Sequence, residues 1–318
     1  MNCDSNIADF IKGSMWGLAL GDALGKPIEF LNLWQIKEDY GPEGLIELPQ
    51  QPIWTDDTEM TFAVARALIK TYNLTIDEIT AQIAEEFVIW FDNPGYAPGT
   101  TCMSAVYNYK KNLQKAWWET GLNTKGCGSA MRVAPIGLFF PGVDKLFKVA
   151  YNSSLITHIH PTAIAAAIGA AYLVRLALNK IEIDLWPNEV KAFVETIPKP
   201  GKTEFCNAID TAVRALEIKD EKKAIKSIGK GWIGEEAVAI ALYCCMKYPK
   251  SEDFKKMLIL AVNHDGDSDS TGCIAGGIMG AMHGYDALGK ELHEWTNRFR
   301  EKKRMEDIIE RMIMALTE

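Results

Sequence analysis

Apolar residues recur at intervals of three and four along most of the chain, as in Ile76, Ile79, Ile83, Phe87 and Trp90. This spacing puts them on one face of an α-helix. A second clear case near the N-terminus runs over 10–18. The same pattern predicts further helices over 58–71, 161–179, 203–216, 234–247, 254–262, 271–282, 287–300 and 305–316. No segment shows the strict alternation of a half-buried strand, so we predict an all-α protein.

Small residues are concentrated in several of these segments, above all in the Ala- and Gly-rich run at 163–171. Small side chains let helix axes approach closely and lack the branching that favours sheets. The apolar stretch 163–174 is 12 residues long and is closed by Arg175. A membrane span needs about 20 apolar residues. We therefore predict a buried core helix and no membrane partner.

Charge and cysteine content narrow the class of protein further. The 318 residues include 34 Lys and Arg against 42 Asp and Glu, a net charge of −8 without a basic tract, which argues against nucleic acid as a partner. The seven cysteines form no C-x-x-C pair, and the first ten residues lack a signal-peptide pattern. We expect reduced thiols, a cytoplasmic location, a single domain over 1–318 and, without long heptads, a monomer.

The most distinctive segment is the acidic turn at 263–272, where Asp265, Asp267 and Asp269 occupy alternate positions before a Gly-rich helical pattern. Carboxylates this close repel one another unless a cation neutralises them. An EF-hand loop is excluded, because Ser270 stands where that loop needs Gly and Gly276 where it needs Glu. Metal binding and ordinary helix capping both remain open for this turn, and the number of acidic residues favours metal binding.

A second acidic cluster, 54–59, also precedes an apolar helical pattern. Its Thr55, Asp56 and Asp57 offer hydroxyl and carboxylate oxygens, the ligands of hard cations such as Mg²⁺ and Mn²⁺. One acidic residue would serve as a helix cap, whereas several indicate a further role. If the two helix starts meet in space, they would form one oxygen-rich cation site.

A third segment, 126–132, begins with Gly126 and Gly128, which permit close approach of a ligand to the backbone. It matches neither a dinucleotide fingerprint nor a Walker loop, so a tight turn and a phosphate-binding turn remain open. Cys127 lies in this turn, but no histidine pairs with it by spacing. Zinc binding by His158 and His160 is disfavoured, since no further ligand stands at the usual spacing.

Taken together, these segments resemble the ADP-ribosylglycohydrolase family. The resemblance rests on five segments in the family's order: 21–25 with Glu29, 54–58, 126–132, His158 and 266–272. The Gly-Asp-Ser-Asp-Ser form of the last segment is most similar to the ADP-ribosylarginine hydrolase branch. The resemblance implies a compact orthogonal helical bundle, the fold also found in dinitrogenase reductase-activating glycohydrolase.

The resemblance also implies the site residues. Two Mg²⁺ or Mn²⁺ ions would be held by Thr55, Asp56, Asp57, Asp267, Asp269 and Ser270. The ADP-ribose pocket would be lined by Gly99, Thr100, Lys125, Gly126, Cys127, Gly128, Ser129, Met131 and His158. The implied catalytic carboxylates are Glu29, Asp56 and Asp57, and Glu29 matches a family glutamate that gates or assists catalysis.

The implied reaction is removal of ADP-ribose from a modified protein side chain, with cleavage of the N-glycosidic bond at the distal ribose. Glycosidic cleavage passes through an oxocarbenium-like state that clustered carboxylates stabilise, and one carboxylate would accept the proton of the attacking water. The partners would be an ADP-ribosylated protein, most simply one modified on arginine, and the product ADP-ribose. A metal-dependent nucleotide phosphohydrolase and a catalytically idle ADP-ribose-binding protein are the two alternatives.

Overall fold

The computed structural model describes residues 3–112 and 116–317. Within these ranges the chain forms α-helices and short 3₁₀ helices and contains no strand, which confirms the all-α prediction. The α-helices are α1 (Cys3–Gly25), α2 (Leu33–Tyr40), α3 (Asp56–Thr71), α4 (Ile76–Asp92), α5 (Thr100–Lys111), α6 (Ala134–Phe139), α7 (Val143–Leu155), α8 (Pro161–Leu178), α9 (Trp186–Phe193), α10 (Gly201–Ala215), α11 (Glu221–Ile228), α12 (Gly234–Lys247), α13 (Phe254–Val262), α14 (Ser268–His283), α15 (Lys290–Thr296) and α16 (Lys302–Thr317). The 3₁₀ helices are Lys26–Ile28, Trp117–Glu119, Cys127–Ser129, Ile183–Leu185, Ser251–Asp253 and Asp286–Leu288.

Most predicted helices are present, and α12 and α13 have the predicted bounds. The helix predicted over 287–300 is wrong as a single element. Gly289 has φ +83°, a left-handed conformation that ends the 3₁₀ helix before it, and α15 then stops at Thr296. Periodicity alone did not reveal six short or polar helices, namely α2, α5, α6, α7, α9 and α11.

Helices α1 and α14 pack against each other along matched glycines. A Cβ atom on Gly17 would lie 2.2 Å from the carbonyl oxygen of Gly276, and one on Gly21 would lie 2.0 Å from that of Gly272. Real Cβ atoms do not approach so closely, so only glycine allows these two backbones to touch. The contact brings the acidic start of α14 beside the last turn of α1 and the Glu29 loop that follows it.

Helix α8 forms part of the core, as its small and apolar composition predicted. By length and composition alone it could cross a membrane, but 89% of its 18-residue window is buried inside the protein. Buried apolar residues from the other helices continue the same hydrophobic cluster. The surrounding helices thus cover the apolar surface of α8.

A candidate active site between two acidic helix starts

The two acidic segments meet in one cavity of about 310 Å³. Asp56 and Asp57 begin α3, while Asp267 caps α14 and Asp269 lies in its first turn. Glu29 faces the same space from the loop after α1. The sequence-predicted residues that line the cavity are Glu29, Asp56, Asp57, Gly99, Thr100, Gly126, Cys127, Gly128, Met131, His158, Asp267, Asp269 and Ser270.

Local structure explains which carboxylates of the acidic turn face the cavity. Gly266 has φ +153°, and a Cβ there would lie 2.0 Å from the carbonyl oxygen of Lys230. Beyond this bend Asp267 and Asp269 point inward, whereas Asp265 accepts a hydrogen bond from the backbone N–H of Leu33. The alternating acidic pattern therefore divides between the cavity and an outer surface.

The inward-facing carboxylates carry a large electrostatic cost. Burial, reinforced by the charge of Asp269, raises the pKa of Glu29 to about 9. Burial also raises the pKa of Asp56 to about 7, although the Gly99 N–H donates to its Oδ2 at 3.1 Å and opposes the rise. The pKa values of Asp57 and Asp267 are raised in the same way, first by burial and then by neighbouring aspartates.

This donor set fits a hard divalent cation. Asp57 Oδ2 is buried and has no hydrogen-bond partner, which is costly for a carboxylate unless something positive binds it. Carboxylate and hydroxyl oxygens are the ligands that Mg²⁺ and Mn²⁺ prefer. Among residues 3–112 and 116–317, no three His, Cys, Asp or Glu side chains are already arranged around one point as a metal site.

A fifth aspartate, Asp22, supports the site from behind and was not predicted as a functional residue. It is fully buried in α1 and accepts the Thr55 N–H at 2.9 Å. Its other oxygen accepts the Thr58 N–H at 3.1 Å and the Thr58 hydroxyl at 2.6 Å. Asp22 therefore fixes the first turn of α3, which carries Asp56 and Asp57. The only sequence signal was its place in the 21–25 segment.

The glycine turn forms the part of the cavity wall next to Asp267 and packs on His158. A Cβ on Gly128 would lie 2.8 Å from Cys102 Sγ and 3.1 Å from His158 Cε1. Burial, with the nearby Arg132 charge, lowers the pKa of His158 to about 3, so its ring is neutral. Its Nδ1 lies 2.8 Å from the Thr157 hydroxyl. The glycines thus let the turn pack closely against protein side chains, and the approach of a ligand to this turn stays a prediction.

Arg132, at the end of this segment, is completely buried beneath the cavity. One of its nitrogens donates to Ser153 O at 3.0 Å and to the Thr157 hydroxyl at 2.7 Å, and its guanidinium lies 4.4 Å from the ring centre of Phe87. Its charge favours the ionised form of Asp56. Arg132 is therefore a buried cation near Asp56, at a position for which the sequence predicted no role.

Three predicted site residues do not line the cavity. Thr55 is fully buried as the N-cap of α3. The Lys125 ammonium is paired with Glu204 at 3.0 Å and with Glu235. The Ser129 hydroxyl donates to Ala163 O at 3.3 Å. Any contact of Lys125 or Ser129 with a ligand would use their backbone, because their side chains are engaged elsewhere.

The cysteine and histidine predictions agree with the geometry. The Cys127 thiol donates to Asp267 Oδ2 at 2.8 Å, and burial raises its pKa, so it is not a thiolate nucleophile. His160 accepts the Thr162 N–H at 3.1 Å as the N-cap of α8. His158 and His160 thus have hydrogen-bonding roles rather than a shared zinc ion.

Two aromatic residues at the cavity wall were also missed. Phe30, 70% exposed and with φ +68°, stacks on Trp232 with ring centres 5.1 Å apart. They come from distant parts of the chain, so no local pattern could have paired them. The stacking ties the Glu29 loop to the loop before α12.

The protein is thus all-α in its described residues, and two acidic helix starts and a glycine turn line one cavity. The ADP-ribosylglycohydrolase family model matches residues 4–318, and the chain belongs to this family. A protein of unknown function from Archaeoglobus fulgidus is 30% identical, covering 83% of this chain and 85% of its own length. The ADP-ribosyl-[dinitrogen reductase] glycohydrolase of Rhodospirillum rubrum is 28% identical over 89% of this chain and 88% of its own.

Two further comparisons bear on function and fold. The ADP-ribosylarginine hydrolase Tri1 of Serratia proteamaculans is 26% identical over 99% of this chain and 82% of its own. A solved structure, titled an ADP-ribosylglycohydrolase-related protein complex, superposes with a TM-score of 0.74 at 22% identity, covering 98% of this chain and 99% of its own. The fold prediction is confirmed, and the family supports an ADP-ribosyl glycohydrolase activity.

Proposed function

We propose that the protein is a metal-dependent hydrolase that removes ADP-ribose from modified arginine side chains. The observation that carries the proposal is the convergence of Asp56, Asp57, Asp267 and Asp269 on one cavity, with an oxygen of Asp57 left unpartnered. Buried carboxylates without cationic partners are destabilising unless a ligand compensates them. The arginine linkage draws on the sequence form of the acidic turn and on the likeness to Tri1.

In this proposal two Mg²⁺ or Mn²⁺ ions would be held by the oxygens of Asp56, Asp57, Asp267, Asp269 and Ser270. The Thr55 hydroxyl caps α3 and lies beside Asp269, from where it would complete the set. When bound, such ions polarise water and hold sugar hydroxyls. The two helix N-termini by themselves repel cations, so the carboxylate charge has to outweigh the helix dipoles. Asp22 and the Gly99 N–H keep the α3 carboxylates in position for this.

The remaining cavity residues bind and orient the nucleotide. Backbone N–H groups of the glycine turn would bind the diphosphate, and His158, held neutral, would offer a hydrogen bond without adding charge. Small residues at 126 and 128 leave room for the ligand beside the His158 ring. The buried Arg132 guanidinium adds positive potential beneath the aspartates.

Proton transfer falls to the cavity carboxylates. Glu29 is half-buried, whereas Asp56 and Asp57 are buried, so Glu29 is the most accessible of the three to water at the cavity mouth. A carboxylate among them accepts the proton of the attacking water, and the cluster stabilises the positive charge that develops on the ribose as the bond to the guanidine breaks.

The test is release of ADP-ribose from an ADP-ribosylarginine protein by wild type, with and without Mg²⁺ or Mn²⁺, beside Asp269→Asn. The matched control is Glu59→Gln, an acid in the first turn of α3 that faces away from the cavity and is bound by Arg304. We expect metal-dependent release, lost by about 10²–10³-fold in Asp269→Asn and retained in Glu59→Gln.

Two results would contradict the proposal. Folded Asp269→Asn protein with full activity would remove the acidic cavity as the catalytic site. Release of inorganic phosphate from a nucleotide, without release of ADP-ribose, would instead assign the carboxylates to phosphohydrolysis.

A further inference from the structure

A groove of about 510 Å³ lies next to the active-site cavity, and Trp232 lines both. Three lysines, Lys222, Lys226 and Lys230, line this groove, which we call the lysine groove. Lys222 and Lys226 belong to α11, and Lys230 to the loop before α12. A concentration of positive charge here contrasts with the net charge of −8 on the whole chain.

The Lys222 ammonium donates to the Pro42 carbonyl oxygen at 3.3 Å, and the three lysines outnumber the two carboxylates that line the groove. Within the described part of the chain, none of the three has a carboxylate within the 4.0 Å ion-pair distance. The two acidic residues of the groove accept hydrogen bonds from backbone N–H groups. Glu236 accepts those of Lys230 and Gly231 at 2.8 and 3.2 Å, and Asp265 accepts that of Leu33.

A fourth lysine, Lys37, adds to the positive potential at the lysine groove. Burial lowers the pKa of Lys222, and the charge of the neighbouring Lys37 ammonium lowers it further. Nearby carboxylates of Glu43 and Asp220 oppose the shift without cancelling it. An acidic ligand would relieve this repulsion.

The rest of the lining favours polypeptide over nucleic acid. Leu33, Ile233 and Trp232 supply apolar contacts between the charges, and Glu236 and Asp265 keep two carboxylates in the groove. A nucleic acid carries a uniform phosphate charge that these carboxylates and the acidic chain repel. A peptide that mixes acidic and apolar side chains matches both features.

The lysine groove lies where the polypeptide around a modified side chain would contact the protein. The active-site cavity of about 310 Å³ can admit a modified side chain, but the polypeptide that carries it must rest on the rim. The stacked Phe30 and Trp232 rings separate cavity from groove, and Glu29 precedes Phe30 directly. A segment in the groove would therefore continue from a side chain in the cavity.

We propose that the lysine groove binds an acidic stretch of the protein substrate beside its modified side chain. This inference rests on the proposed function, and it sets the substrate class as proteins with acidic sequence near the modification. The contact lies outside the catalytic residues, so it contributes recognition and encounter rate rather than chemistry.

The test compares two synthetic peptides that carry one ADP-ribosylarginine, flanked in one by glutamates and in the other by glutamines. The variant is Lys226→Glu, and the matched control is Lys303→Glu, an exposed lysine on α16, a helix that packs against α1 and α3. Free ADP-ribosylarginine serves as the substrate without a flanking segment.

We expect wild type to prefer the acidic peptide in kcat/KM by roughly three- to tenfold at low salt. Lys226→Glu should abolish this preference while free ADP-ribosylarginine is hydrolysed as before, and Lys303→Glu should keep it. Equal rates for both peptides in wild type, or an equal loss for both in Lys226→Glu, would overturn the proposal.

A binding measurement separates this proposal from the proposed function. Fluorescence anisotropy of the unmodified acidic peptide needs no turnover, so a preference for it that Lys226→Glu removes supports the groove even if no ADP-ribose is ever released. The absence of that preference overturns the groove even if ADP-ribosylarginine is hydrolysed. Tighter, Lys226-dependent binding of a single-stranded oligodeoxynucleotide of equal length would assign the groove to nucleic acid and also overturn the proposal.

Discussion

The first turn of α3 supplies acidic side chains to two cavities of similar size, about 310 Å³ each. The carboxylates in the two cavities differ in their protein partners. Glu59 faces a cavity lined by Trp54, Tyr96 and Arg304, which we call the outer cavity. Arg304 donates two hydrogen bonds of 2.6 Å to the Glu59 carboxylate, and the Trp54 indole N–H donates one of 2.9 Å. Asp56 and Asp57 face the active-site cavity, and Asp57 Oδ2 has no partner. All three acids belong to the first turn of α3, so the difference lies in their surroundings.

The segment 93–99 forms part of both walls. Gly95 and Tyr96 line the outer cavity, and Pro98 and Gly99 line the active-site cavity. The Tyr96 carbonyl accepts the Asp56 N–H at 3.0 Å. The two cavities therefore differ in whether protein groups compensate their carboxylates, rather than in the number of acids.

The largest effect is expected from Asp57→Asn. Mg²⁺ or Mn²⁺ should stabilise wild type by about 2.7 kcal/mol at a hundredfold excess over Kd, because the ion binds only the folded state. Asp57→Asn removes a ligand charge, so this stabilisation should largely vanish and hydrolysis should fall about 10²–10³-fold. Thermal unfolding with and without metal measures the first, and ADP-ribose release the second.

Glu59→Gln is the control for this prediction, since it neutralises an acid of the same helix turn that already has protein partners. It should leave the metal-induced stabilisation intact. The comparison between the two cavities fails if Asp57→Asn responds to metal as wild type does, or if Glu59→Gln loses the response.

Local sequence could predict the helix starts and most of the fold, because periodicity and acidic clusters are encoded within a few residues. The predicted cation ligands of α3 and α14 do face one cavity, except for Thr55, which caps its helix. Their roles as ligands and catalysts stay predictions. The break at Gly289 shows the limit of periodicity, since one residue with φ +83° interrupts an otherwise helical pattern.

Other features depend on tertiary contacts that no local pattern contains. Asp22 acquires its role only because α1 packs beside the start of α3, and Phe30 meets Trp232 across the chain. Lys125 was predicted to contact ligand, but Glu235 and Glu204 bind its ammonium. The role of a polar side chain depends on its hydrogen-bond and ion-pair partners, and tertiary contacts set those partners.

Asp22→Asn tests whether the positions of Asp56 and Asp57 depend on the hydrogen bonds that Asp22 accepts from Thr55 and Thr58. An amide offers one acceptor oxygen and places an NH₂ group against the N–H and hydroxyl of Thr58, which Asp22 now satisfies. The free energy of unfolding should fall by about 1–3 kcal/mol, and hydrolysis should fall with it as Asp56 and Asp57 lose their position. Urea unfolding and ADP-ribose release measure both.

Asp9→Asn, near the other end of α1, is the matched control for Asp22→Asn. Its Oδ1 accepts the Asp286 N–H at 3.0 Å, a bond that the Asn oxygen can keep. This variant should match wild type in both measurements. Unchanged stability and activity in Asp22→Asn would show that α3 holds its acidic turn without help from α1.

The smallest effect is expected from Arg304→Met, which removes the partner of Glu59 in the outer cavity. The Arg304 side chain is 42% exposed, so water can partly replace it, and the free energy of unfolding should fall by only about 1 kcal/mol. The double variant Glu59→Gln/Arg304→Met should recover part of this loss, because no charge is then left unpaired.

ADP-ribose release should stay within about twofold of wild type, since charge pairing in the outer cavity serves structure. A loss of activity as large as that of Asp57→Asn would mean that the segment 93–99 transmits the state of one cavity to the other, and that the two carboxylate environments act as one unit.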